Sequence, residues 1–139
     1  MNPAMRAYAV TTVLLFFKMV LNSTLQGYHR MGRRQFVHAE DAKFFGGASG
    51  EDLPAVQRLN AVWRNDLENI PIFLFLALVF VLVEASPDGA GWYFGTFVAA
   101  RYAHTFFFIN GVQPWRFLAY TLGQLVCLGL AVRILLQVL

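Results

Sequence analysis

The stretch "WRNDLENIPIFLF" (Trp63 to Phe75) sets Arg64, Asn65, Asp66, Glu68 and Asn69 at the entrance of a long apolar run. Arg64 and Glu68 share one helix face at i and i+4, and so do Asn65 and Asn69. Further along, Arg101, His104, Thr105 and Phe108 recur at i, i+3, i+4 and i+7, which is again a single face. Arg116, Tyr120, Gln124 and Cys127 repeat the pattern at i, i+4, i+8 and i+11. Ionisable groups inside apolar segments are costly, so each requires a partner or a ligand. A guanidinium fork binds carboxylates bidentately, and the Glu68 carboxylate suits an ammonium. This set of groups fits a small polar anion with two carboxylates and one amine. A purely structural reading competes. It makes Arg64–Glu68 a plain intrahelical ion pair, Arg116 a snorkelling side chain and His104 a satisfied core histidine. In that reading Lys18 and Arg133 snorkel or pair within the bundle. Four polar faces converging at one depth favour the ligand.

The elements that position these groups follow from composition. The chain has 139 residues, 58% of them apolar, including 14 Phe, and a mean hydropathy of +0.51. Soluble domains usually hold about 45–50% apolar residues, and a small one has little interior in which to hide more. A spanning helix needs about 20 mostly apolar residues. Four segments qualify, over about 4–28, 53–84, 91–110 and 115–138. Arg6 followed by an apolar run imitates a signal peptide, but "NSTLQGYHR" replaces a small-residue cleavage site, so the segment reads as a retained first span. Asp52 is the expected N-cap of the second helix, with Pro54 in its first turn. Turns are expected at 84–91 and 110–114. The second helix exceeds a hydrocarbon core of roughly 30 Å, so its first turns are expected to stand outside it.

Arg30, Arg33, Arg34 and Lys43 lie between the first two spans, whereas the next connection holds Glu84 and Asp88 and no base. The positive-inside rule then turns the first loop to the cytoplasm. The polar groups of the four spans, with Gln26 and Arg30 at the end of the first, fall toward that side. A net charge of +3, without a basic run interleaved with aromatics, argues against a nucleic-acid partner. Cys127 is the single cysteine, which excludes an intrachain disulfide and a thiolate metal site; no metal is expected.

"RLNAVWRNDLENIPIFLF" resembles the signature of the MAPEG family, the membrane-associated proteins of eicosanoid and glutathione metabolism. The resemblance extends to "FVHAEDA", "ARYAHT" and "PWRFLAYTLGQL" and covers nearly the whole chain. It implies an all-α integral membrane four-helix bundle, assembled as a homotrimer, with glutathione between neighbouring subunits near the cytoplasmic face. Carried over residue by residue, it makes Arg116 the catalytic cation. Arg30, Arg64, Asn65, Glu68, His104, Tyr120 and Gln124 become glutathione contacts. The co-substrate is then a hydrophobic small molecule or lipid, and the location a bacterial inner membrane or the endoplasmic reticulum. The chain departs from the family pattern at Gln57, Ala61 and Trp63. Phe108 and Phe117 replace a Tyr and a Ser of the isomerase branch, whose accompanying acid is matched by Asp41. The expected activity is a glutathione-dependent transferase or peroxidase. The alternatives are a lipid endoperoxide isomerase and a non-catalytic membrane scaffold or lipid-binding module.

Overall fold

The computed structural model describes residues 2–85 and 89–139. It contains α1 (Pro3–Arg33), β1 (Gln35–Phe36), α2 (Ala39–Phe45), β2 (Ala48–Ser49), α3 (Pro54–Leu82), α4 (Ala90–Ile109) and α5 (Trp115–Val138). Among the described residues the regular structure is helical apart from one short parallel bridge, with Gln35 opposite Ala48 and Phe36 opposite Ser49.

Local chemistry sets the ends. Asn2 caps α1, its Oδ1 accepting from the Ala4 N–H at 2.9 Å, and Pro3 fills the first turn. α1 runs five residues past the expected 28, to Arg33, so Arg30 sits on a helix face. The 31 residues of α1 rise about 46 Å at 1.5 Å each, which makes it as over-long for a bilayer as α3. The expected Asp52 N-cap is corrected: Leu53 occupies the position with no side-chain cap bond. Asp52 is engaged elsewhere, by Arg30. The helix expected over 53–84 ends at Leu82, with Glu84 in the left-handed region at φ 52°. The expected 84–91 turn lies partly outside the described residues. In the first connection, expected as a polar loop, the bridge and α2 fold the segment back on itself. Gly47 is required there, because an added Cβ would come within 2.3 Å of the Arg34 carbonyl oxygen.

α1 packs on α3 and α4, α5 packs on α4 and α3, and α3 packs on α4. Phe73, Phe80, Phe94 and Phe97 form the apolar centre, each at most 1% exposed. Phe73 and Phe97 stack at 3.7 Å, and Phe94 meets Phe73 edge-on at 5.9 Å. Outward, Phe16, Phe17, Phe75, Leu128 and Leu136 are all more than half exposed. Large apolar side chains on the outside of long helices suit a lipid environment. Three helices, α1, α3 and α5, are long and apolar enough to cross a membrane. The 20-residue α4 carries Arg101 and His104 within its apolar sequence.

Candidate functional site

One turn of helix from the Phe73–Phe97 stack, the interior turns polar. Lys18 from α1, Asp66 from α3 and Arg101 from α4 meet in a buried ion triad, 2%, 0% and 1% exposed. Lys18 Nζ donates to Asp66 Oδ2. Arg101 grips Asp66 Oδ1 through Nη2 at 2.5 Å and Nε at 3.2 Å, and the same Nη2 donates to Asn65 Oδ1 at 2.5 Å. Two cations and one carboxylate leave the triad formally +1. At such burial water cannot screen these groups, and among the described residues Asp66 is the one carboxylate paired with either cation.

A chain of amides extends the triad. On the α1 side, Gln26 donates to Asn22 Oδ1 at 2.7 Å, and Asn22 donates to the Leu59 carbonyl at 3.3 Å. On the α5 side, Asn69 donates to the Asn65 carbonyl at 2.6 Å, and Gln124 donates to Asn69 Oδ1. α5 is therefore tied to the polar layer by a neutral amide contact, while α1, α3 and α4 are tied by charge.

Next to this layer, α4 and α5 build a second cluster. The His104 ring is 5.6 Å from Phe108 and 6.3 Å from Tyr120, centroid to centroid. The half-buried Arg116 lays its guanidinium 4.6 Å over the Phe108 ring, a cation–π geometry. With its amide oxygen turned toward Arg116, Gln113 accepts from Nη2 at 2.6 Å and from Nε at 3.0 Å. Among the described residues Arg116 meets no carboxylate. His104 Nδ1 is buried and has no hydrogen-bond partner. An orphaned buried acceptor or donor beside an uncompensated cation can receive a polar ligand.

The structure thus joins Asn65 to Arg101, Gln124 to Asn69, and His104 to Tyr120 and Arg116 through Phe108. It leaves others apart. Arg64 and Glu68 are both exposed and form no ion pair with each other among the described residues, so the plain Arg64–Glu68 bridge of the structural reading is corrected. Arg30 is held bidentately by Asp52 at 2.9 and 2.7 Å, with Asn60 also donating to Asp52. Of the two alternatives for Lys18, pairing within the bundle holds and snorkelling does not: it is the third member of the triad. Arg133 donates to the Ala85 carbonyl at 3.2 Å. Reading the sequence missed Asp66 as the electrostatic centre. Lys18 and Arg101, single charges in separate apolar runs, signal the need for a buried acid, but spacing does not choose between Asp66 and Glu68.

Apolar helices wrapped around a buried ion cluster, with the half-buried Arg116 beside it, define an α-helical protein of the membrane type. The sequence profile described as the MAPEG family matches residues 8–136, and the chain belongs to that family. It is 35% identical over 136 residues to "Prostaglandin E synthase" of Homo sapiens, covering 96% of this chain and 90% of that protein. It is 34% identical over 137 residues to "Microsomal glutathione S-transferase 1" of Homo sapiens, covering 93% and 87%. The protein of that second name from Sus scrofa is 34% identical over 142 residues, covering 96% and 90%.

Proposed function

We propose that this protein is a membrane-bound glutathione transferase that ionises the glutathione thiol and directs it at apolar electrophiles, with peroxides as further substrates. The observation that carries this reading is Arg116: a half-buried guanidinium without a carboxylate partner among the described residues, held by Phe108 and Gln113 beside His104 and Tyr120. A cation near sulfur favours thiolate over thiol. A free thiol has a pKa near 8.5 and is only partly ionised at neutral pH; lowering it by two units takes about 2.7 kcal/mol. A fixed charge in a low-dielectric site is of that order.

Arg64, and Arg30 once its fork exchanges Asp52 for the ligand, supply cations for the two carboxylates and Glu68 an anion for the ammonium. Asn65, His104, Tyr120 and Gln124 supply hydrogen bonds. Arg64 and Glu68 face outward from a single chain, which supports a site completed by a neighbouring copy. In this reading four helices span the membrane, three copies associate, and the glutathione cleft lies between subunits. It opens to the cytoplasm from a bacterial inner membrane or the endoplasmic reticulum. The apolar substrate enters laterally from lipid. In conjugation the sulfur lone pair forms a bond to the electrophilic carbon and the leaving group departs with its electron pair.

Titration of glutathione against a chloronitrobenzene substrate in detergent tests the proposal. Saturable conjugate formation is expected, and bound glutathione without turnover would refute it. The 35% identity to a prostaglandin E synthase favours a second reading, isomerisation of a lipid endoperoxide with glutathione as cofactor. The two part on whether glutathione is consumed. Phe108 and Phe117, lacking the hydroxyls of the isomerase branch, weigh toward the transferase.

A further inference from the structure

The N-terminal half of α1 and the first three turns of α4 enclose a groove of about 620 Å³. Its α1 wall includes Ala7, Val10 and Leu14; along α4 run Gly91, Gly95 and Ala99. These three small residues follow one another at four-residue spacing and so line one helix face. A Cβ added at Gly91 or Gly95 would meet nothing within 4 Å, so the stripe is an open trough rather than a packed contact. Arg6 stands at one mouth, exposed, and has no carboxylate partner among the described residues. Tyr102 closes the other end, its hydroxyl donating to the Leu14 carbonyl at 2.9 Å. From Gly91 to Tyr102 the helix rises about 16 Å at 1.5 Å per residue. Half of a hydrocarbon core is about 15 Å. The groove is therefore about as long as one leaflet is deep, with a cation at one mouth and an apolar trough beside it.

We infer that this groove is a binding site for an anionic phospholipid, with the phosphate on Arg6 and an acyl chain along Gly91, Gly95 and Ala99. Charge complementarity selects this occupant. Guanidinium and phosphate pair bidentately, whereas an apolar helix from a second copy would fill the trough without supplying the counter-charge that Arg6 lacks among the described residues. Small residues let a neighbour lie directly against helix backbone, and an acyl chain is thin enough to use that access. The site is independent of the proposed glutathione cleft, which lies toward the opposite ends of α1 and α4.

The test is lipid retention by the full chain in detergent, read by native mass spectrometry, with phosphatidylglycerol and phosphatidylcholine of matched chains. Phosphatidylglycerol should be retained about fivefold better, the factor given by about 1 kcal/mol for one basic residue near anionic lipid. Arg6→Gln should abolish the preference and leave phosphatidylcholine retention unchanged. Gly95→Leu should reduce retention of both lipids by filling the trough. Ala99→Leu, deeper in the same trough, serves if Gly95→Leu fails to fold. Equal retention of the two lipids by the unmutated chain, or a preference that survives Arg6→Gln, would overturn the inference. So would trough-filling variants that retain lipid normally. Displacement by oleate as effective as by phosphatidylglycerol would reassign the groove to free fatty anions. Efficient disulfide formation between Gly95→Cys copies in membranes would assign it to a second copy of the chain.

Discussion

Replacing Asp66 by Asn keeps the shape of the side chain and removes the only negative charge of the triad. Lys18 and Arg101, 2% and 1% exposed, would then share a buried space with no counter-charge. Removing one partner of a buried ion pair costs about 3–5 kcal/mol, against a total stability of about 5–15 kcal/mol for a typical domain. Lys18→Met makes the opposite change. It deletes one of two like charges and leaves Asp66 paired one-to-one with Arg101, so its cost should stay below about 2 kcal/mol. The assay is reversible unfolding in mixed micelles of increasing dodecyl sulfate content, followed by helical circular dichroism. Asp66→Asn should shift the transition far more than Lys18→Met. Salt should barely alter the difference, because buried pairs are weakly screened. A cost below about 1 kcal/mol for Asp66→Asn, or equal costs for the two variants, would refute the claim that a single carboxylate holds both cations.

Arg116→Ala should lower the thiolate fraction of bound glutathione at least tenfold, equivalent to about 1.4 kcal/mol. The measurement is ultraviolet difference absorbance, with binding followed separately by calorimetry. His104→Phe should leave stability within about 1 kcal/mol, since Nδ1 forfeits no hydrogen bond, yet weaken glutathione binding in calorimetry. Gly47→Ala should destabilise the Arg34–Leu53 connection by about 1–3 kcal/mol, because the added Cβ collides with the Arg34 carbonyl. Limited proteolysis should then cut this connection faster while the long helices persist.

The four long helices were legible because apolar runs are separated by Gly and Pro, and their observed bounds lie within a few residues of the expected ones. The exception is the C-terminal end of α1. "HRMGR" reads as loop, yet the helix continues through it, ending only where Arg34 turns left-handed at φ 49°. α2 was invisible because seven residues carry too little periodicity. The bridge was invisible because its strands have two residues each and depend on the Gly47 close approach. The shared face of Arg101 and His104 could be read from spacing within one helix. The partnership of Lys18, Asp66 and Arg101 could not, because it depends on the azimuth of three helices. Asp66 and Glu68 are two residues apart in sequence but face opposite environments, one fully buried and one exposed. Only packing decides which is which. The outward stance of Arg64 and Glu68 was unreadable for the same reason.

Three of the long helices are fastened by full charges, the fourth by amides, one carbonyl contact from Arg133 and apolar packing. Severing charge inside an apolar interior is far harder than exchanging one neutral dipole for another. α5, although closely packed on α4, is thus the one long helix whose displacement would break no ion pair seen among the described residues. That helix also carries Arg116 and Tyr120, so any adjustment of this wall to a differently sized electrophile would leave the electrostatic keystone undisturbed.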